Sequence, residues 1–333
     1  MATTITTHAF ARAGLVGNPS DGYFGKTISF IIRNHRATVT LREYDKFEVI
    51  PGEDDLAEFD SVYDFLANQK LYGYYGGMRL ILAAVKKFNE FFDNKGSPLP
   101  DKKFRISYHS DVPRLVGMAG SSAIITATMR ALLQFYEVEI AKAELPSLIL
   151  SIENDELGIA AGLQDRVIQV YEGITYMDFD RRLVESRGYG EYEEITPPSP
   201  PPLYVAYDPD RAKISGVPHS NLRKRWIEGD AIVHQTMQDF RALVDRARIA
   251  LEAGDWPRLS ECIDENFELR RRIMPLSPEY TRMVDVARST GASAHFSGSG
   301  GAIAGLCDEA KYPAMVEALE KIGCTVFRPQ VYQ

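Results

Sequence analysis

The sequence predicts a mixed fold of strands and helices in two parts. Three observations carry this. Short β-like runs crowd the first fifty residues, long runs with helical apolar spacing follow, and a proline run, TPPSPPP at Thr196–Pro202, interrupts the pattern. Proline donates no backbone hydrogen bond and favours extended polyproline geometry, so this run marks a boundary between residues 1–200 and 201–333. At 333 residues the chain is long enough for two cores.

In the first part, Phe10–Val16, Lys26–Ile32, Ala37–Leu41 and Phe47–Ile50 read as strands. Tyr75–Phe92 reads as a helix and Phe104–His109 as a strand entering a loop. Ser121–Tyr136, Leu145–Glu156 and Leu163–Tyr171 read as helices, and Ile174–Phe179 as a strand. In the second part, Leu203–Tyr207 is a strand. Ser220–Ala253 is helical with a break near Gly229, and Pro257–Met274 and Glu279–Gly291 are further helices. Ser293–Phe296 and Ala302–Cys307 are short strands flanking a glycine-rich turn. Tyr312–Ile322 is a helix and Thr325–Phe327 a last strand.

Apolar residues make up 45% and charged residues 25%, an ordinary globular composition. The formal net charge of −8 argues against a nucleic-acid partner, which calls for a basic surface. The basic clusters Arg223–Arg225 and Arg270–Arg272 sit in mixed-charge helical stretches. Three cysteines without a CxxC spacing suit neither a disulfide framework nor a zinc site. Met1–His8 is Thr-rich with no apolar signal core, and no run reaches the ~18 apolar residues of a membrane span. These features predict a soluble cytoplasmic protein without membrane partners, monomer or homodimer.

The most informative segment is Asp111–Ala123, DVPRLVGMAGSSA. A strand ends, a loop with Gly117 and Gly120 follows, and a helix opens on Ser121 and Ser122. Free amides and the positive end of the helix dipole favour an anion there. A hydroxyl at that position can also ligate Mg²⁺. Taken alone, the same residues describe an ordinary helix start with tight packing. The segment is neither a Walker A loop nor a GxGxxG fingerprint. A second glycine-rich turn, SGSGGA, spans Ser297–Ala302 and reads equally as a tight hairpin; a third, GNPSD, spans Gly17–Asp21.

In order and spacing these three segments resemble the motifs of the GHMP kinase superfamily: RAGLVGNPSD at Arg12–Asp21, PRLVGMAGSSA at Pro113–Ala123, and Ser297–Ala302. Met118 stands where the superfamily usually has Leu, and Ile124 where it often has Ala. Wording at Ala11–Phe30, Gly73–Leu80, Glu156–Gly173, Asn266–Met274 and Ala294–Ala302 is similar to plant-type glucuronokinases. The resemblance implies an α+β fold with an N-terminal domain like ribosomal protein S5 domain 2 and a ferredoxin-like C-terminal domain. It implies phosphoryl transfer from ATP, with Mg²⁺, to the anomeric hydroxyl of a sugar acid, D-glucuronate first, for UDP-glucuronate synthesis.

The same resemblance assigns roles. ATP falls to Pro113, Gly117, Met118, Ala119, Gly120, Ser121, Ser122 and Ala123, and to Ser297, Gly298, Ser299 and Gly300. Asp165, in GLQDR, takes the place of the acidic base, although an Asp in a first helical turn is commonly a dipole partner. Arg12 heads motif one, where a cation stabilises charge developing during transfer. Mg²⁺ falls to Ser122 and Glu153, with Glu156 as the rival carboxylate. Asp21, Tyr75, Gly76 and Gly77 are candidates for the sugar, the tyrosine doubling as core packing. A carboxylate calls for bidentate Arg, for which Arg271 is chosen among Arg79, Arg166, Arg271 and Arg272. Other readings are a kinase of neutral sugars and a non-catalytic ligand sensor; intact Asp165, Ser122 and third motif favour activity.

Overall fold

Buried and partly exposed residues alternate from Thr7 to Phe10, every residue from Ala11 to Val16 is buried, and the stretch Thr4–Val16 forms strand β1. The structure is a computed structural model; it describes residues 3–52, 55, 61–62, 76–209, 218–276 and 278–332. Its chain divides into two units, each built from three stretches. The first holds residues 1–11, 35–112 and 119–170; the second holds 12–34, 113–118 and 171–333. The run Thr196–Pro202 lies inside the second unit.

Strand β2 (Lys26–Glu43) serves both units along its length. In the first unit its Ala37–Glu43 part pairs antiparallel with β4 (Phe104–Ser110), Ala37 opposite Ser110 and Glu43 opposite Phe104. The two-residue β3 (Glu48–Val49) runs parallel to β4 on its other side. Helix α1 (Gly77–Asn94) buries Leu80, Ile81, Ala84, Phe88 and Phe92 at the spacing of one helical face. Helix α2 (Gly120–Tyr136) is buried nearly all round, so its small residues are packing residues. Helix α3 (Leu145–Ser151) passes into a π-helical turn, Ile152–Glu156, and α4 spans Leu163–Tyr171.

In the second unit the Lys26–Phe30 part of β2 pairs antiparallel with β5 (Ile174–Asp178), which pairs with β6 (Glu191–Glu194). Between them lies the short, unburied helix α5 (Arg181–Arg187). A second sheet has the order β10-β7-β9-β8, all antiparallel neighbours, from β7 (Leu203–Tyr207), β8 (His295–Phe296), β9 (Ala302–Leu306) and β10 (Thr325–Phe327). Helices α6 (Pro218–Ile227), α7 (Ala231–Ala253), α8 (Trp256–Ile273), α9 (Pro278–Ser289) and α10 (Tyr312–Glu320) complete it. One buried cluster joins Tyr204, Phe267, Phe296, Ile303, Met283 and Leu319, with Phe267 and Phe296 edge to face at 5.4 Å. Each such aromatic side chain contributes roughly 1.5–3 kcal/mol by leaving water.

The break expected near Gly229 is real. Gly229 takes φ +80° between α6 and α7, and the Asp230 carboxylate caps α7 by accepting from the N–H groups of Ile232 and Val233. No described helix is long and apolar enough to cross a membrane.

Candidate active site

In the first unit, the start of α2 is an amide cradle. Ala119, the residue before the helix, adopts φ +63°, and no side chain caps the helix from that position. The first helical hydrogen bond runs from Ala123 N–H to the Ala119 carbonyl, at 3.1 Å. The N–H groups of Gly120, Ser121 and Ser122 therefore have no acceptor among the described residues. Three free donors on the positive end of a 17-residue helix suit an oxyanion. Gly120 and Ser121 are half-buried and Ser122 is buried.

The Ala119 carbonyl is also the anchor of α4. It accepts from Ser122 Oγ at 3.2 Å and from Gln169 Nε2 at 3.0 Å; Gln169 Nε2 donates as well to Phe10 O at 3.0 Å. Asp165 stands four residues before Gln169, on the same face of α4 and one turn away. The helix carrying the expected base is thus tied to the residue that opens the cradle.

Arg166 organises the carboxylates nearby. It is 4% exposed. Its Nε donates to Glu153 Oε2 at 2.7 Å, its Nη2 donates to the same oxygen, and its Nη1 donates to the Gly162 carbonyl at 2.9 Å. Asp165 Oδ2 lies 3.4 Å from Nη1. Glu153, itself 2% exposed, comes from the π-helical turn and gives one oxygen wholly to Arg166. The rival Glu156 is ion-paired to Lys86. No group of three or more metal-ligating side chains occurs among the described residues.

Gly76 and Gly77, at the start of α1, are narrow points of the same unit. A Cβ on Gly77 would lie 2.1 Å from Cζ of Tyr108, and one on Gly76 2.5 Å from Asp55 Oδ1. Asp55 accepts from Met78 N–H at 3.1 Å and from Tyr108 O–H at 2.8 Å, so it caps α1 from 23 residues upstream. Tyr75, with Tyr72 and Tyr74, lies outside the described residues.

In the second unit the remaining motif residues interlock. Arg12, 4% exposed, donates through Nη1 to the carbonyls of Gly117 (2.7 Å) and Ser297 (3.0 Å), while its N–H donates to Met118 O at 3.3 Å. Gly14 N–H donates to Ser297 O at 2.8 Å. Gly117, at φ +81°, lies so near the third motif that a Cβ would be 2.9 Å from the Gly300 carbonyl. Pro113 is half-buried and Met118 and Ala123 are buried, each in its own unit. Asp21 is half-buried in a 3₁₀ turn, Ser20–Tyr23.

Residues without an assigned role hold this cluster together. Asn266 Oδ1 accepts from Gly17 N–H at 2.6 Å, and its Nδ2 lies 3.2 Å from Nδ1 of His295. His295 Nε2 lies 3.0 Å from the Gly14 carbonyl. A carbonyl only accepts, so Nε2 carries the proton and Nδ1 accepts from Asn266. Burial, followed by the nearby Arg270 charge, pushes the His295 pKa down to about 3.

The arginine triplet splits into two outward members and one inward member. Arg271 is exposed and ion-paired to Glu268 at 3.1 Å, and Arg272 to Asp239 at 2.6 Å. The inward member is Arg270, 1% exposed, donating to Asn18 Oδ1 at 2.9 Å and to the Gly298 carbonyl at 2.7 Å. Arg79 is exposed. The sequence signal was the segment NFELRRRIM itself; helical geometry allows only one or two of three successive arginines to face inward.

Within the first unit, an amide cradle at a helix start with a carboxylate-bearing helix anchored to it suits phosphoryl-transfer chemistry. Residues 79–173 match the GHMP kinases N terminal domain and residues 247–323 match GHMP kinases C terminal. The chain belongs to the GHMP kinase family and is a kinase. It is 42% identical over 320 residues to probable glucuronokinase 2 of Arabidopsis thaliana, covering 94% of this chain and 86% of that one. It is 40% identical over 319 residues to glucuronokinase 1 of the same plant, covering 94% and 87%. Its fold matches the crystal structure of Streptococcus pneumoniae phosphomevalonate kinase with a TM-score of 0.74 at 13% identity, over 100% of both chains.

Proposed function

We propose that this kinase transfers the γ-phosphoryl group of ATP to the anomeric hydroxyl of D-glucuronate, giving glucuronate 1-phosphate and ADP. The observation that carries the reading is the Ala119 carbonyl, which ties the start of the three-amide cradle to the helix of Asp165. The printed names of the two plant relatives supply the acceptor sugar.

In this reading the free N–H groups of Gly120–Ser122 hold phosphate oxygens and accept the negative charge that grows during transfer. Asp165 takes the proton of the anomeric hydroxyl as its oxygen bonds to the γ-phosphorus. The bond to the β-phosphate oxygen breaks and ADP leaves with that electron pair. Arg166, 3.4 Å from Asp165 Oδ2, keeps the carboxylate oriented. Arg12 holds the turn of motif three through the Ser297 carbonyl.

Mg²⁺ would be held by Ser122 Oγ and the Glu153 carboxylate, with phosphate and water oxygens completing its shell. The donor set fits a hard cation, since the hydroxyl keeps its lone pairs while donating to Ala119 and Arg166 occupies only Oε2 of Glu153. Bound there, the ion would neutralise phosphate charge. Asp21, Gly76 and Gly77 remain the candidates for sugar contact.

ADP release over a panel of glucuronate, galacturonate, galactose, glucose and a heptose, with and without Mg²⁺, tests the proposal. Glucuronate should be turned over fastest and only with Mg²⁺. A neutral sugar preferred over every uronate would replace it.

A further inference from the structure

Arg270 is a buried cation without a buried anion. No carboxylate lies within ion-pairing distance of it among the described residues, and its Nε has no hydrogen-bond partner. Its partners are oxygens of neutral groups: Asn18 Oδ1, Gly298 O and, at 3.4 Å, Ser299 O. Burial alone brings its pKa down to about 10, so it stays charged. A buried charge left uncompensated is costly, and a chain of this composition has carboxylates to spare.

The carbonyls held by this charge fix the direction of the amides. In a planar trans peptide the C=O of one residue and the N–H of the next point in opposite directions. The cis bond among the described residues is Asn18–Pro19, so the peptides of the turn are trans. With Gly298 O and Ser299 O on Arg270, the N–H groups of Ser299 and Gly300 face away from it. Arg12 does the same for Gly298 N–H by holding Ser297 O. None of these three N–H groups has an acceptor among the described residues, although Gly298 and Gly300 are buried. Ser297 is fully buried and its Oγ is also without a partner. Four donors left open beside a buried positive charge point to a missing anion.

We propose that Arg270 is a positioning residue whose carboxylate-free charge orients the 297–300 turn as an oxyanion site, for a nucleotide phosphate or the carboxylate of a sugar acid. The sugar-acid alternative rests on the function proposed above. Asn18 is neutral because a carboxylate there would cancel the charge that the turn relays.

Asn18→Asp tests this with little change of shape, since it sets a carboxylate where the amide oxygen stands 2.9 Å from Arg270 Nη1. The melting temperature should hold or rise, while affinity for ATP and for inorganic pyrophosphate, or for glucuronate, falls about tenfold or more. Adenosine and glucose serve as neutral controls and should bind as before. Arg270→Lys should keep most of the anion affinity and Arg270→Gln should lose it. Weakening confined to ATP and pyrophosphate places the nucleotide phosphate at the turn; weakening confined to glucuronate places the sugar acid there; both uphold the role of Arg270. Unchanged affinity for every anion in Asn18→Asp would overturn it, as would equal losses for charged and neutral ligands. A wild-type protein that phosphorylates no sugar acid would fail the substrate reading alone, because pyrophosphate binding still reports on the turn.

Discussion

The side-chain amide of Gln169 and the main-chain carbonyl of Ala119 lie 3.0 Å apart, and this bond couples helix α4 to the first residue of the amide cradle. Gln169 is fully buried and its Nε2 also serves Phe10 O. Gln169→Leu keeps the volume but strips two part-buried carbonyls of a donor. Stability should fall by about 2 kcal/mol in a urea melt. The KM for ATP should rise more than the KM for the sugar, because the cradle is what loosens.

Asp165→Asn keeps shape and hydrogen-bonding reach but cannot take up the hydroxyl proton. We expect kcat to fall by roughly 10²–10⁴ with little change in ATP binding. Single-turnover assays with isothermal titration of ATP separate the two, and near-normal turnover would remove Asp165 from its role.

Glu153 and Glu156 differ in what surrounds them. Removing Glu153 leaves Arg166 buried without its main partner, which costs about 3 kcal/mol or more. Glu156 pairs with an exposed lysine whose pKa is raised mainly by that contact, so Glu156→Ala should change stability little. Denaturation of the two alanine variants checks this. A steeper Mg²⁺ requirement in Glu153→Asp than in Glu156→Asp would mark Glu153 as the metal ligand.

His295 gives the fold an acid limit. Its pKa is lowered from 6.5 to about 3, so the unfolded chain binds a proton between these values that the folded chain does not. Stability from this group is complete above about pH 6.5 and falls as pH drops towards 3, by up to about 1.4 kcal/mol per pH unit. His295→Gln should flatten that part of the stability curve. A wild-type slope unchanged by the substitution would show that other groups carry it.

Much of this was legible beforehand. Leu163–Tyr171 and Thr325–Phe327 have the boundaries that periodicity gives them. The α+β class and family followed from three ordered motifs. Lys26–Ile32 and Ala37–Leu41 read as separate strands because the polar stretch Arg33–Arg36 breaks the apolar pattern, yet β2 runs through it. Helix α5 escaped notice because RRLVESR buries no residue and so has no apolar face to betray it. The stretch after α3 looked like continuing helix; its π-helical turn depends on hydrogen-bond register, which composition does not encode.

Side-chain partnerships were harder to foresee than elements. Arg270 and Arg271 are the same residue type one position apart, and only the packed orientation of α8 separates the buried one from the exposed one. The link of Asp55 to Met78 N–H spans 23 residues, and that of Asn266 to Gly17 N–H spans 249. Such long-range pairs leave no local pattern.

The interleaving of the two units sets an order of events during synthesis. All three stretches of the first unit have left the ribosome once Val170 is outside, whereas the second begins at Arg12 and still lacks its edge strand β10 until Phe327 emerges. The earliest residues of motif one must therefore wait, unpaired with Asn266 and Ser297, through most of translation. Nascent chains halted between these two points should resist protease over the first unit's stretches while Arg12–Asn34 remains open to cleavage.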